Sequence, residues 1–278
     1  MQKYTLRPVL NKSRMARYIT RMNYLHALIL GLVEGITEFL PISSTAHLVL
    51  AGKVLGLDTT SFLKSFDIII QLGAILAVIV FYKPLSFLNG ERLKRLFAAF
   101  IPTGIIGFLL YKPLKILLLG NTSIMAWSLL LGGIAMMIYE KGRLYTHASS
   151  ESADITKITY TQAVGVGLFQ TLALIPGVSR SAATIIGGMI LGISRRTIVE
   201  FSFLLAVPVM LAATGLDLVK NISAFSLHQA GFLAMGFIAA FVVARLTIKW
   251  LLALIGRYTF TPFGIYRIIL GIVVLLLA

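Results

Sequence analysis

The stretch FDIIIQLGAILAVIVFY, residues 66–82, is almost unbroken in its apolarity. A helix needs about 20 mostly apolar residues to cross the hydrocarbon core of a bilayer. Comparable runs recur at about 93–111, 122–139, 198–219, 230–254 and 262–278. They are continuous and do not alternate, so they read as helices and not as strands of a membrane barrel. Hydrophobic residues make up 58% of the chain, against roughly 45–50% in soluble domains. The expected fold class is an all-α polytopic membrane protein.

Charge fills the gaps between these runs. The net charge is +15, from 25 Lys and Arg against 10 Asp and Glu. Arg92, Lys94, Arg95, Lys141, Arg143, Arg195 and Arg196 all stand between apolar segments. That placement suits anionic lipid headgroups or an anionic substrate, and not nucleic acid. The absence of cysteine excludes disulfides and thiolate metal sites. Residues 1–21 carry six Lys and Arg and no acid, with no small-residue cleavage site after them. They read as a basic extension, inside by the positive-inside rule, with Met22 as an alternative start. The stretch EKGRLYTHASSESADITKIT, residues 140–159, reads as an extramembrane loop. Its His147, Glu151 and Asp154 are conceivable metal ligands, but a solvated loop is the expectation.

Four segments are shorter. One runs from about Tyr24 to Leu40 and stops at Pro41; the next covers Ser44 to Leu57. Another pair covers about 160–175, stopping at Pro176, and 181–192. FLPISSTAHLVLAGKVLGL lines up with LIPGVSRSAATIIGGMILGI, setting Pro41 on Pro176, Ser44 on Ser179 and, with a one-residue shift, Gly56 on Gly192. Further on, Phe66 falls on Phe201. A constant offset of this kind marks an internal repeat. The second segment of each pair is too short to span. Each pair is therefore expected to form a re-entrant hairpin, over about 24–57 and 160–192. Three spanning helices follow in each half, giving repeat 1 over 22–139 and repeat 2 over 160–278. Three is odd, so the second half starts from the opposite face. The repeats are then inverted, and the two hairpin tips meet near the midplane, where such folds place their sites.

The tips carry the polarity. In EGITEFLPISSTAH, residues 34–47, Glu34 and Glu38 are four apart on one helix face. A charge at mid-bilayer costs about 2.5–3.5 kcal/mol on insertion scales. Two neighbouring carboxylates also repel, so either one is protonated or a cation sits between them. Mg²⁺ or Ca²⁺ suits carboxylate oxygens, which makes Glu34 and Glu38 candidate metal ligands. Ser43 or Ser44 can cap the next helix, whose free N–H groups suit a phosphate. Ser44 and His47 are three apart, and a serine beside a base is a minimal activated nucleophile. A lone Glu, S-S-T or His would be read as structural; their combination reads as a site. The other tip, PGVSRSAAT (residues 176–184), offers Gly177 for an unusual turn and hydroxyls from Ser179, Ser181 and Thr184. Arg180 adds a cation with fork geometry matched to phosphate. An acidic, nucleophilic tip facing an anion-binding tip suits metal-assisted hydrolysis of a phosphate ester or anhydride, with a lipid as substrate.

These residues resemble a known family, the undecaprenyl pyrophosphate phosphatases of bacterial membranes (the bacitracin-resistance type). The resemblance rests on EGITEFLPISSTAH, on PGVSRSAATIIGGMILGISRRTIVEFSFLLAVP and on FTPFGIYRIILG, and covers roughly residues 24–278. It implies hydrolysis of the C55 pyrophosphate to the monophosphate, which recycles the cell-wall carrier lipid. It also implies a homodimer in the inner membrane with its site open toward the outer face. Carried over residue by residue, it makes Glu34 and Glu38 metal and acid/base residues, Ser44 the nucleophile, His47 an acid/base partner and Arg180 the phosphate clamp. Ser43, Thr45, Ser179, Ser181 and Thr184 become supporting phosphate contacts. Ala46 and Ala182 stand where that family commonly has Gly, which implies stiffer tips with the chemistry retained. The rival reading is a transporter or flippase for an anionic prenyl-phosphate lipid, because midplane helix breaks in inverted repeats also describe carriers.

Overall fold

A computed structural model describes residues 22–58, 60–82, 89–117, 121–142, 154–221 and 229–277. The basic stretch 1–21 lies outside these, as does most of the polar loop with His147 and Glu151. Asp154 lies inside. Its carboxylate accepts from the hydroxyl and the amide of Thr156, capping a short 3₁₀ turn, and these bonds hold it below the usual carboxylate range.

The described chain is all-helical. The first five helices are α1 Tyr24–Thr37, α2 Ser44–Val54, α3 Ser61–Tyr82, α4 Gly90–Leu117 and α5 Thr122–Gly142. The second five are α6 Tyr160–Thr171, α7 Arg180–Ile190, α8 Arg195–Asn221, α9 Ala230–Leu254 and α10 Thr261–Leu276. Helices α3, α4, α5, α8 and α9 contain stretches long and apolar enough to cross a membrane. The chain is thus a multi-pass membrane protein. The sixth expected span, α10, has 16 residues, or roughly 24 Å at 1.5 Å per residue. That falls short of the ~30 Å hydrocarbon core. Its start is fixed by Pro262 in the first turn.

Local chemistry sets the shorter elements. Asn23 caps α1 by accepting from the His26 amide at 2.8 Å. Thr159 and Gln162 form a reciprocal capping box on α6. Helices α2 and α7 both end on a glycine with positive φ, Gly56 and Gly192. In each, the next amide reaches back to a carbonyl five residues earlier, Leu57 to Gly52 and Ile193 to Gly188. Both α2 and α7 are also preceded by a serine at φ 73°, Ser43 and Ser179. By backbone geometry Ser43 therefore corresponds to Ser179, and Ser44 to Arg180. This moves the Ser44-on-Ser179 pairing by one residue. At the offset of 136 that also relates α1 to α6, Pro41 stands opposite Gly177, whose φ of 93° a side chain would strain and whose Cα faces the Met125 carbonyl.

Contacts recur between the halves. Helix α1 packs on α9, and its counterpart α6 packs on α4; α3 packs on α9, and α8 on α4. The third helices of the two halves, α3 and α8, touch each other, as do the fifth, α5 and α10. The close approaches need small residues: a Cβ on Gly31 of α1 would meet the Gly236 carbonyl, and one on Gly167 of α6 the Ala99 carbonyl. Tyr24 and Tyr160, Ala27 and Ala163, Gly31 and Gly167, and Leu32 and Leu168 all stand 136 residues apart. The main apolar core runs through α3, α7, α8 and α9, with Phe39, Phe201 and Phe203 fully buried in it.

Candidate active site

The breaks after α1 and α6 come together. Glu38, the residue that closes α1, is the centre of the junction. Ser44 Oγ donates to Glu38 Oε2 at 2.6 Å, and Arg180 Nη2 donates to Glu38 Oε1 at 3.3 Å. Glu38 and Arg180 form an ion pair whose side chains are only 7% and 11% exposed. Arg180 is held from behind: Nη1 donates to the Ser202 carbonyl at 2.9 Å, and the guanidinium lies over the Phe39 ring. Its Nε has no partner among the described residues. With five N–H groups, the guanidinium is not exhausted by these bonds.

Glu38, Ser43, Ser44, Thr45, Ser179 and Arg180 line a cavity of about 200 Å³. This is room for several waters at ~30 Å³ each, and so for a phosphate group. The other walls are mixed. Gln71, Thr103 and Gln170 supply polarity; Leu174, Ile175, Val209 and Met210 supply apolar surface. Val209 and Met210 follow Pro208, which interrupts the hydrogen-bond ladder of α8. Both left-handed serines line this cavity. Such backbone persists where the surroundings over-determine it, commonly at functional sites.

Ser181, Thr184 and His47 sit around the cavity without lining it. Ser181 Oγ donates to the Leu40 carbonyl at 2.7 Å, tying one tip to the other. Ser179 accepts from the Ala182 amide and pairs with the Ser181 hydroxyl. Thr184 Oγ1 bonds the Arg180 carbonyl at 2.9 Å and the Ser202 hydroxyl at 2.6 Å. His47 faces away. Its Nδ1 donates to the Ser43 carbonyl at 2.7 Å, so in the neutral ring Nε2 accepts from the Tyr266 hydroxyl at 2.7 Å. The two rings stack. Both nitrogens are spent away from Ser44. Ala46 and Ala182 are buried in the first turns of α2 and α7, where a methyl group is accommodated.

Glu34 is fully buried, and neither oxygen has a hydrogen-bond partner among the described residues. A buried carboxylate left unpaired calls for a proton or a cation. Glu38, by contrast, has both oxygens engaged. These two are the carboxylates that the sequence offered at the tip for a metal, and Mg²⁺ is commonly held by one or two carboxylates with substrate phosphates completing its shell.

Arg267 escaped the sequence reading, although it lies in the quoted FTPFGIYRIILG. It is fully buried on α10. Nη1 donates to the carbonyls of Pro41 at 3.3 Å and Val178 at 2.8 Å; Nη2 donates to those of Ser128 and Gly177, each at 3.1 Å. One guanidinium therefore staples both tips to α5. A lone arginine in an apolar run was the available signal. Gln71, Thr103, Gln170 and Ser202 carried the same weaker signal, polar residues inside otherwise apolar spans.

Residues 27–273 match the family described as bacitracin resistance protein BacA. A protein of Wolinella succinogenes named undecaprenyl-diphosphatase is 49% identical over 257 residues, covering 91% of this chain and 98% of its own. Proteins of the same name from Persephonella marina and Aquifex aeolicus are 49% and 48% identical, covering 92% and 89% of this chain and 99% and 95% of their own. With a match that spans nearly all of its helices and relatives this similar along their whole length, the chain belongs to the BacA bacitracin-resistance family.

Proposed function

We propose that this protein hydrolyses undecaprenyl pyrophosphate to undecaprenyl phosphate and inorganic phosphate, recycling the cell-wall carrier lipid and conferring bacitracin resistance. The observation that carries the reading is the Ser44–Glu38–Arg180 chain on the wall of one cavity inside a multi-pass membrane protein. The names of its relatives supply the substrate.

Ser44 is the nucleophile. Glu38 takes its proton as Oγ bonds the terminal phosphorus, and the bond from that phosphorus to the bridging oxygen breaks. The proton passes from Glu38 to the departing prenyl phosphate. Water then cleaves the seryl phosphate by the same exchange in reverse. Arg180 holds the transferring group through its guanidinium, and Ser43, Thr45 and Ser179 surround it. Glu38 serves as base in place of His47, because only Glu38 reaches the Ser44 hydroxyl. A carrier would have no use for that hydroxyl–carboxylate contact. Glu34 and Glu38 would hold Mg²⁺ or Ca²⁺, which supplies charge neutralisation for the diphosphate.

The shared helix order, the serines at φ 73° and the reciprocal helix contacts support two inverted repeats with re-entrant hairpins at 24–57 and 160–192. The family reading adds the inner membrane, a site open to the outer face and a homodimer.

Phosphate release from C55 pyrophosphate by detergent-purified protein tests the reading. Glu38→Gln and Arg180→Ala are each expected to lower the rate by about 10²–10⁴-fold, the usual span for a positioned acid or base. Full activity in either variant would sink it. A chelator is expected to abolish release, with Mg²⁺ or Ca²⁺ restoring it. Acid-quenched enzyme should carry phosphate on Ser44 and none after Ser44→Ala.

A further inference from the structure

Gln71 stands in the middle of α3, on the cavity wall, and has no role so far. An amide in an apolar span is costly unless something pairs with it. Gln71 is half-buried, and its amide makes no hydrogen bond with any described residue. Unlike the Gln170 oxygen, neither end of that amide is sealed off. The two other polar side chains that the cavity receives from outside the tips are Thr103 and Gln170. They are spent on each other. Thr103 Oγ1 donates its one hydrogen to the Gly167 carbonyl at 2.9 Å and accepts from Gln170 Nε2 at 2.9 Å, and Gln170 is buried. Among the described residues, Gln71 is therefore the cavity side chain off the tips that keeps N–H groups for a ligand.

The reaction requires donors in that part of the cavity. In phosphoryl transfer the attacking and leaving oxygens lie roughly in line, on opposite sides of the phosphorus. Ser44, Arg180, Ser43, Thr45 and Ser179, which receive the transferring phosphate, all belong to the tips. With Ser44 attacking from the tips, the bridging oxygen and the second phosphate point the other way, toward the walls that the spanning helices supply. The second phosphate keeps the prenyl chain. Val209 and Met210 of α8, also off the tips, offer apolar surface to its first carbons. The cavity is about 200 Å³. A diphosphate takes the room of several waters at ~30 Å³ each, so one seated against the tips extends to the far wall. Gln71 can turn its NH₂ end to that anion, because no neighbour fixes the orientation of the amide.

Resting on the phosphatase reading above, we propose that Gln71 binds the non-transferring phosphate of the substrate, the one that departs on the prenyl chain. Its N–H groups donate to the oxygens of that phosphate. They hold the diphosphate extended away from Ser44 and stabilise the charge that grows on the leaving group as the bridging bond breaks. The tips hold the phosphate that is cut off, and α3 holds the one that stays with the lipid. The product prenyl phosphate is then a ligand of Gln71, and inorganic phosphate a ligand of the tips.

Product inhibition separates the two halves of the site. Full-length purified enzyme is assayed on C55 pyrophosphate labelled in its terminal phosphate, with unlabelled undecaprenyl phosphate or inorganic phosphate added as inhibitor. Gln71→Met removes the donors at nearly constant volume. It is expected to raise Ki for undecaprenyl phosphate about 10- to 100-fold, the span for losing a hydrogen bond to a charged group, while Ki for inorganic phosphate stays within about three-fold. The value of kcat/KM should fall in step with the first of these. Gln71→Glu puts an oxygen where the N–H donors stood. It should weaken undecaprenyl phosphate at least as much, and it carries the test if the methionine variant fails to fold. Unchanged inhibition by undecaprenyl phosphate overturns the proposal. Equal weakening of both inhibitors overturns it as well, because a deformed cavity would then explain both. Selective weakening of inorganic phosphate would put Gln71 on the transferring phosphate and overturn it too. A wild type that releases no phosphate defeats the phosphatase reading itself, and that failure is visible before any variant is made.

Discussion

Ser44 and His47 lie on the same helix, three residues apart, yet only Ser44 opens onto the cavity. The side chain at the first helical position points back toward the Glu38 carboxylate, while the imidazole is held between the Ser43 carbonyl and Tyr266. His47→Ala is therefore expected to keep phosphate release within about ten-fold of wild type, against a loss of at least about 10²-fold for Glu38→Gln. Side-by-side rates on C55 pyrophosphate decide it, and comparable losses would return His47 to the chemistry. The sequence showed which residues cluster because buried charge is costly and hence informative. It could not say that Glu38 would use both oxygens and Glu34 neither. A spacing of four puts two side chains on one helix face, but α1 ends at Thr37. Glu38 stands at the break, free to meet Ser44 and Arg180.

At the scale of elements, Pro41 and Pro176 announced the breaks, since a helix seldom continues past the residue before a proline. The register between the two tips was hidden by the prolines, which stand 135 residues apart while the helices before the tips and the serines after them stand 136 apart. The turns are held by Arg267 more than by their own hydrogen bonds. Arg267→Leu would leave four carbonyls short of a donor, and should lower stability by at least about 3 kcal/mol. Arg267→Lys should recover only part, because a single ammonium cannot span the four acceptors. The unfolding midpoint in detergent reads both, and a midpoint equal to wild type in Arg267→Leu would contradict the staple. The crossing of α6 on α4 is equally narrow. Gly167→Val should force the helices apart and lower stability by about 1–3 kcal/mol, whereas the same change at Gly52, where a Cβ meets nothing, should cost about 1 kcal/mol or less.

Across the whole molecule, each half completes the other. Helix α1 finds its main partner in α9, and α6 finds its own in α4, so neither half buries its hairpin alone. An offset in the sequence reveals a repeat, but not which elements exchange partners, because that depends on backbone approach at small residues such as Gly31 and Gly167. The proposed inversion makes a topological prediction. The chain contains no cysteine, so single cysteines report cleanly. Asp58→Cys, beyond α2, and Thr161→Cys, at the start of α6, should react with a membrane-impermeant maleimide from opposite faces in oriented vesicles. Labelling from the same face would rule out inversion.

The Arg267 staple also joins the two tips into one mechanical unit. Three hydrogen bonds fasten the tips to α10 and a fourth fastens α10 to α5, so neither tip can shift without the other. The tips thus form one fixed wall of the cavity, and any change in its shape has to come from the helices across from them.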